Sequence, residues 1–468
     1  MLPPHILRML ANNTFGGTAL RSGLPADWTP ERIRARHREE FLWAATTAGV
    51  AANFRTLDAG TILAESPLAA RDRRRLRQAL AIKGLMAQAA APTHLPEGAA
   101  RGWRVADAGF ARHRRELADA LGVLVLEGTD GGAPEPAAAP APIDVVYTWV
   151  DGSDREWRAE RAAAQAEATG TPLATSDDEA RYASRDELRY SLRSLEYFAP
   201  WINHIYIVTA DQVPGWLDTD GGRVSVVPHR DIFADPGNLP TFNSHAIESQ
   251  LHHIEGLSER FIYMNDDVFF GRPVDPELFY AADGSSRYFL SKQRIGAEKP
   301  GDLPVNVAAR NNRAVLQRRF GRSSIFKFLH VAHAQLRTTL EAIEADERDE
   351  VERTAAARFR SDTDLSIPSS LAHYYGTALG RAVPGEVGYN YIDLSDATAR
   401  LRLLRLMWTE RPQMFCLNEV ASGGRREQET LKMMQHFLQE YFPFPSAFER
   451  PEVPRGTVAA GRPAAARN

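Results

Sequence analysis

Two adjacent carboxylates preceded by an amide, Asn265-Asp266-Asp267, carry the densest chemistry in the chain. Phe261-Ile262-Tyr263-Met264 runs into them and Val268-Phe269-Phe270-Gly271 follows, so the acids are expected where a buried strand reaches its exposed end. Open α/β sheets place their chemistry at that end. Neighbouring carboxylates repel, and a divalent cation or a shared proton relieves the repulsion. The plainer reading is a strand followed by an acidic turn, for which Asn and Asp are ordinary choices.

Two further strand-like segments end in acids. Ile143 to Val150 leads into Asp151-Gly152-Ser153-Asp154, and Met414 to Leu417 leads into Asn418-Glu419. If these strands are parallel neighbours, their ends converge on one rim and form an oxygen-rich pocket suited to Mg²⁺ or Mn²⁺ rather than to a Cys/His zinc site. In Ser184 to Leu195, Leu188, Leu192 and Leu195 share one helical face while Arg185, Arg189 and Arg193 share another. Arg185, Arg189 and Arg360 are candidates for forked contacts to phosphate oxygens. A metal beside arginines points to a diphosphate, and with no glycine-rich phosphate loop of either common type, binding would rest on the cation and the arginines. Plainer roles exist: Arg189 as a pairing partner, Asp154 as a helix cap. His333, one of 13 histidines, is expected on a helix, where a lone histidine is more often a packing or surface residue. There is no Gly-x-Ser-x-Gly elbow, and Cys416 stands in an apolar run, so covalent catalysis is not suggested.

The elements that must position these groups follow from composition and order. A chain of 468 residues with 44% hydrophobic and 25% charged content has material for a large core and more than one domain. A net charge of −4 gives no global attraction to nucleic acid. The single cysteine excludes an intrachain disulfide and makes the cytoplasm the default compartment. No run of about 18 apolar residues occurs, so membrane contact is expected to be peripheral at most. Residues 1–130 read as a mostly helical accessory region, with a basic run at Arg71 to Arg77 and one short apolar run, Leu121 to Leu126. Residues 131–142 read as a Gly/Pro/Ala linker. From 143 to 450 strand-like and helix-like segments alternate, the pattern of a predominantly parallel sheet covered by helices, with a helical insertion from about Arg310 to Arg381. The tail, 451–468, has too little apolar area to fold and is expected to be disordered.

Ile143 to Trp157 (IDVVYTWVDGSDREW), Arg185 to Leu217, Leu239 to Phe270, Phe359 to Arg381, Phe415 to Glu419 and Tyr441 to Glu449 resemble, in order, the conserved regions of the Stealth family. Its members include bacterial capsular polysaccharide phosphotransferases and the α/β subunit of the lysosomal-enzyme GlcNAc-1-phosphotransferase. The resemblance implies a nucleotide-binding α/β fold related to nucleotide-sugar glycosyltransferases. It also implies transfer of a sugar 1-phosphate from a nucleotide sugar, a UDP-sugar foremost, to a hydroxyl of a glycan. Residue by residue, the nucleotide side falls on Trp149, Asp151 and Gly152, the arginine-rich segment on Arg185, Glu187 and Arg189, and the central acids on Asn265, Asp266 and Asp267. The active-site histidine falls on His333, the arginine on Arg360, and the last polar pair on Asn418 and Glu419. Two departures stand out: His333-Ala334-Gln335 replaces the family's His-x-Pro, and Asn418-Glu419 replaces Asn-Asp.

The mechanism this implies has Asp266, Asp267 and Glu419 holding Mg²⁺ or Mn²⁺, with Arg189 and Arg360 neutralising phosphoryl charge. His333 takes the acceptor proton, with Asp266 as the alternative base, and the enzyme works in the cytoplasm or at the inner face of the plasma membrane. Two rivals share the same scaffold: a metal-dependent glycosyltransferase that releases a nucleoside diphosphate, and a non-catalytic glycan-binding protein.

Overall fold

The computed structural model describes residues 27–451 apart from 52–53, 59, 65–67, 91–98, 129–140, 169–184, 300 and 419–424. Most of the expected linker, the expected disordered tail beyond 451 and Glu419 therefore lie outside the described residues.

Among the described residues up to 128, four helices, Pro30–Thr47, Ala70–Ile82, Ala108–His113 and Arg115–Leu121, accompany a sheet that the sequence signalled at only one strand. Helices Pro30–Thr47 and Ala70–Ile82 pack on a five-stranded sheet ordered Phe54–Thr56, Thr61–Ala64, Val123–Gly128, Ala99–Asp107, Leu85–Ala89. Leu85-Met86-Ala87-Gln88-Ala89 consists of residues that favour helix in isolation, but full cross-strand pairing with Ala99–Asp107 overrides that preference. Only the Leu121 to Leu126 run signalled a strand, and it occupies the middle of this sheet. The unit docks through cations: fully buried Arg114 pairs with Glu116, donates to the Tyr441 carbonyl at 3.2 Å and lies 4.6 Å from the Tyr441 ring centroid.

The sheet that matters for chemistry is ordered His333–Leu336, Arg260–Met264, Ile143–Thr148, Ile205–Thr209, Val224–Pro228. The last four strands are parallel, with Val145 opposite both Ile205 and Ile262. Helices on both sides make the central strands continuously apolar, and Ile143 to Tyr147 and Ile205 to Thr209 are buried throughout. This is the expected α/β architecture, a predominantly parallel sheet with helical surroundings. The polar exception inside it, Asp144, is satisfied by the Asn203 amide at 2.8 Å and the Ser258 N–H at 2.8 Å, so it serves structure.

Two expectations change here. His333 is on a strand, not a helix: His333–Leu336 adds antiparallel to Arg260–Met264, with His333 opposite Tyr263. The rest of the 310–381 interval is largely helical as expected, with one further short strand at Phe326–Phe328. Met414–Asn418, moreover, is not a parallel neighbour of the acid-tipped strand. It lies in a second sheet, antiparallel to Val268–Phe270 and parallel to Tyr389–Asp393. The acids still meet Asn418, because the chain passes from one sheet to the other through Asn265-Asp266-Asp267 and the Leu417 N–H donates to the Asp267 carbonyl at 3.1 Å.

The helix Glu187–Phe198 buries Leu188, Leu192 and Leu195 as its spacing predicts. Its arginines, however, serve packing. Arg193 grips Glu449 through Nε at 2.6 Å and Nη2 at 2.7 Å and donates to the Phe442 carbonyl at 2.8 Å, while Arg189 Nε reaches the same carboxylate at 2.5 Å. Glu449 thus fastens the end of the described chain to this helix. Replacing it by Ala takes the carboxylate away from two guanidinium groups, one of them buried, and is expected to cost about 3–5 kcal/mol. A urea-unfolding midpoint unchanged in Glu449→Ala would show the clamp to be idle.

Candidate active site

The acids sit in the short crossing between the two sheets, a turn closed by the Val268 N–H on the Asn265 carbonyl at 3.2 Å. Asp267 is surrounded by donors. His330 Nε2 lies 3.0 Å from Oδ1 and 3.3 Å from Oδ2, the Asn418 amide donates to Oδ2 at 3.1 Å and the Cys416 thiol at 3.3 Å. Burial opposes ionisation of Asp267, but His330, the thiol and the amide outweigh it and hold the carboxyl below its ordinary range.

Asp266 has the opposite environment. Burial, then the nearby carboxylates of Glu187 and Asp267, push its pKa well up. Glu187, at the start of the Glu187–Phe198 helix, is itself pushed up to about 7, chiefly by burial, although it accepts the Arg185 N–H at 2.6 Å. Two acids that both resist ionisation side by side make a place for a shared proton or a divalent cation.

His330 is the histidine that the structure brings to the acids. Its side chain is 39% exposed, and although burial works against the imidazolium, the charge and hydrogen bond of Asp267 prevail and raise its pKa. Because Asp267 accepts from Nε2–H, the neutral ring carries its lone pair on Nδ1. His333, three residues on, is instead buried with its Nδ1 3.0 Å from His373 Nε2, and burial followed by the neighbouring histidines drives its pKa well down. These surroundings favour its neutral form. His330 lies in the bend before the strand His333–Leu336, outside its alternation, so no local periodicity separates the two histidines and only the fold shows which one meets Asp267.

A second wall comes from Arg360 and Glu248. Arg360 Nη2 donates to the Ser244 hydroxyl at 2.7 Å. Its loop is held by the buried Asp364, whose Oδ2 accepts from the Asn243 amide at 2.9 Å and the Ser361 N–H at 3.0 Å and lies 3.1 Å from His245 Nδ1. Asn243 also caps the helix Ser244–Glu248 as its residue type predicts. That short helix ends in Glu248, which accepts from the Tyr263 hydroxyl at 3.1 Å and helps raise the His330 pKa. Sequence reasoning missed both Glu248 and His330.

Trp149, Asp151 and Gly152 stand at the downstream end of the central strand, on the same rim as the acids. Trp149 pairs through its N–H with the Val208 carbonyl at 3.0 Å. The Asp151 carboxylate is engaged locally by the Ser153 N–H at 2.9 Å and hydroxyl at 2.6 Å. Asp154 takes its plainer role, capping the helix Arg155–Glu167 at the Glu156 N–H, 2.9 Å away. The structure therefore gathers Glu187, Asn265, Asp266, Asp267, His330 and Asn418 about one turn and puts Arg189 on Glu449. Metal-capable donors fall into two kinds: the oxygen pair Asp266 and Glu187, and the mixed trio Asp267, His330 and Cys416, whose ligand atoms lie within 4.8 Å of one another.

A largely parallel α/β sheet with acids and an Asp-His pair at its carboxyl rim defines a ligand-binding α/β protein equipped for proton transfer. The comparisons identify which one. Profiles of the Stealth protein conserved regions match in order: CR1 at residues 141–167, CR2 at 181–288, CR3 at 329–377 and CR4 at 408–459. The chain belongs to the Stealth family.

An exopolysaccharide phosphotransferase of Streptomyces coelicolor is 52% identical over 314 residues, covering 66% of this chain and 52% of the relative. Exopolysaccharide phosphotransferase CpsY of Mycobacterium tuberculosis is 42% identical over 313 residues, covering 66% and 58%. The alignment thus spans a little over half of either relative. Among solved structures, galactosyltransferase LgtC with donor and acceptor sugar analogues overlaps 64% of this chain and 95% of its own at 12% identity and a TM-score of 0.32. An overlap that loose establishes no shared site.

Asp267 contributes most to favouring the His330 imidazolium, so Asp267→Asn leaves only Glu248 and Asp266 to oppose burial and the His330 pKa is expected to fall. An NMR titration of the His330 ring protons reads this directly; an unmoved midpoint would dissolve the pair.

Proposed function

We propose that this protein transfers a hexose or N-acetylhexosamine 1-phosphate from a nucleotide sugar, a UDP-sugar foremost, to a hydroxyl of a glycan acceptor in cell-surface polysaccharide synthesis. The observation that carries the reading is the Asp267–His330 pair beside the two reluctant acids Asp266 and Glu187, on the rim where a parallel sheet binds ligands. Family membership and the names of the relatives support the same chemistry.

In this reading His330 Nδ1 accepts the proton of the acceptor hydroxyl, and Asp267 stabilises the imidazolium that forms. The hydroxyl oxygen attacks the phosphorus that bears the sugar, the bond from that phosphorus to the bridging oxygen breaks, and a nucleoside monophosphate departs. The sugar's own C–O bond is untouched, so its anomeric configuration is retained. Arg360 and Arg185 offset the charge spread over the transferring phosphoryl oxygens, and Asn265 and Asn418 orient the turn and the Asp267 carboxylate. Trp149, Asp151 and Gly152 lie where the nucleotide end of the donor would rest. Asp266 and Glu187 are the oxygen donors that fit Mg²⁺ or Mn²⁺, which would supply charge neutralisation for the diphosphate when bound. Asp267 suits that ion less, because both its oxygens already face N–H or S–H donors.

No described helix is long and apolar enough to cross a membrane. Action at the inner face of the plasma membrane would use peripheral contact, for which the basic residues of the Ala70–Ile82 helix provide charge.

The test is a panel of nucleotide sugars with Mg²⁺ and an oligosaccharide acceptor, with the released nucleotide identified by mass. Monophosphate is expected; diphosphate would make the protein an ordinary glycosyltransferase. His330→Ala is expected to lower kcat by about 10²- to 10⁴-fold. His333→Gln, corrected for the folded fraction, should keep most of the rate, and the reverse ranking would restore His333 as the base.

A further inference from the structure

A second cluster of titratable groups lies away from the acids. The 3₁₀ turn Leu251–His253 presents two consecutive histidines to Glu344 of the helix Arg337–Asp346. His252 Nε2 is 2.7 Å from Glu344 Oε2 and His253 Nε2 is 3.0 Å from the same oxygen, with the three ligand atoms within 4.8 Å of one another. The rings lean together, their centroids 4.2 Å apart and their planes at 51°, and both Nε2 atoms meet the same carboxylate oxygen.

His253 shows what that point requires. Its Nδ1 lies 2.9 Å from the Ile232 carbonyl, an acceptor with no proton to give, so Nδ1 carries the hydrogen. In the neutral ring Nε2 is then a bare lone pair aimed at a carboxylate oxygen. Two lone pairs at 3.0 Å repel unless a positive charge stands between them, either a proton on Nε2 or a metal ion. The carbonyl contact is also the outer-shell hydrogen bond that orients metal-binding histidines and sharpens their basicity.

The geometry points to a zinc-class divalent metal site formed by His252 Nε2, His253 Nε2 and Glu344, separate from the Asp266 site. Two imidazoles and one carboxylate form a first-row metal set, and Zn²⁺ takes such ligands at about 2.0–2.2 Å with a fourth position for water. The N···O separations here need to open by only a few tenths of an ångström to admit the ion. Access is from solvent: the Glu344 side chain is 34% exposed and that of His253 28%, while His252 at 2% forms the floor. The ion would tie the turn that follows the Glu248-bearing helix to the Arg337–Asp346 helix, two elements otherwise joined by the apolar contacts of Leu251, Leu340 and Ile343. It would brace the scaffold and take no part in the transfer chemistry.

The test uses the full chain stripped with a chelator, dialysed against Zn²⁺ and analysed for metal per chain by mass spectrometry, together with its thermal midpoint with and without Zn²⁺. Glu344→Gln and His253→Gln, both at partly exposed positions and checked by circular dichroism, are expected to hold one Zn²⁺ fewer than the parent chain. Their Zn²⁺-dependent gain in midpoint should vanish, and affinity should fall by more than the roughly 10- to 100-fold that loss of an outer-shell partner costs. Asp267→Asn, which alters the other trio, should keep this ion and its stabilisation. Equal Zn²⁺ content and equal thermal response in the parent and both variants would overturn the site and leave a His253 imidazolium with a His252 N–H on Glu344 as the whole account.

Discussion

The geometry of the site depends on one carboxylate, Asp267, which is half-buried and kept charged. Its backbone carbonyl accepts from Leu417 and its side chain gathers His330, Asn418 and Cys416, groups drawn from two other parts of the chain. A buried carboxylate without donors would take up a proton, so the surrounding donors and the charge define one another. Removing any donor weakens the rest.

That convergence needs Val268–Phe270 and Met414–Asn418 to stay in register, and aromatic packing on their shared sheet helps to hold them. Phe269 stacks on Phe415 with centroids 5.1 Å apart, and Phe442 lies parallel to both at 6.1 and 6.3 Å. Phe442 in turn is anchored by its carbonyl on Arg193, whose partner is Glu449. The closing segment of the described chain thus supports the turn that carries the acids from behind. Arg189, a phosphate candidate from its sequence, and its stripe neighbour Arg193 carry this support through Glu449.

The parallel sheet and the rim position of Asn265-Asp266-Asp267 were legible in the sequence because continuous apolar runs ending in polar residues have few other uses in a chain of alternating elements. The cap roles of Asn243 and Asp154 were legible from residue type alone. What was not legible depended on pairing across the chain. Ala334, Gln335 and Leu336 favour helix locally, yet edge pairing to Arg260–Met264 makes a strand and turns His333 inward. Leu85 to Ala89 fails for the same reason in the N-terminal sheet. Glu248 lies on a short helix whose five residues show no periodicity, so nothing local marks it as part of a site.

The two acids of the turn differ in environment more than in position, and that difference assigns their roles. Asp267 is held ionised by donors, while Asp266 is pressed towards its neutral form by burial, Glu187 and Asp267 itself. Where neighbouring titratable groups are driven apart in this way, the charged one serves as the permanent electrostatic partner and the neutral one as the group whose state can change. A base supported by Asp267 can therefore work near neutrality, with its imidazolium stabilised as it forms. Asp266 and Glu187 can exchange their proton for a cation that arrives with a diphosphate, so that ligand charge and site charge are neutralised together. In the proposed mechanism a single pair of adjacent aspartates separates proton transfer from anion binding, and the separation comes from what surrounds each carboxylate.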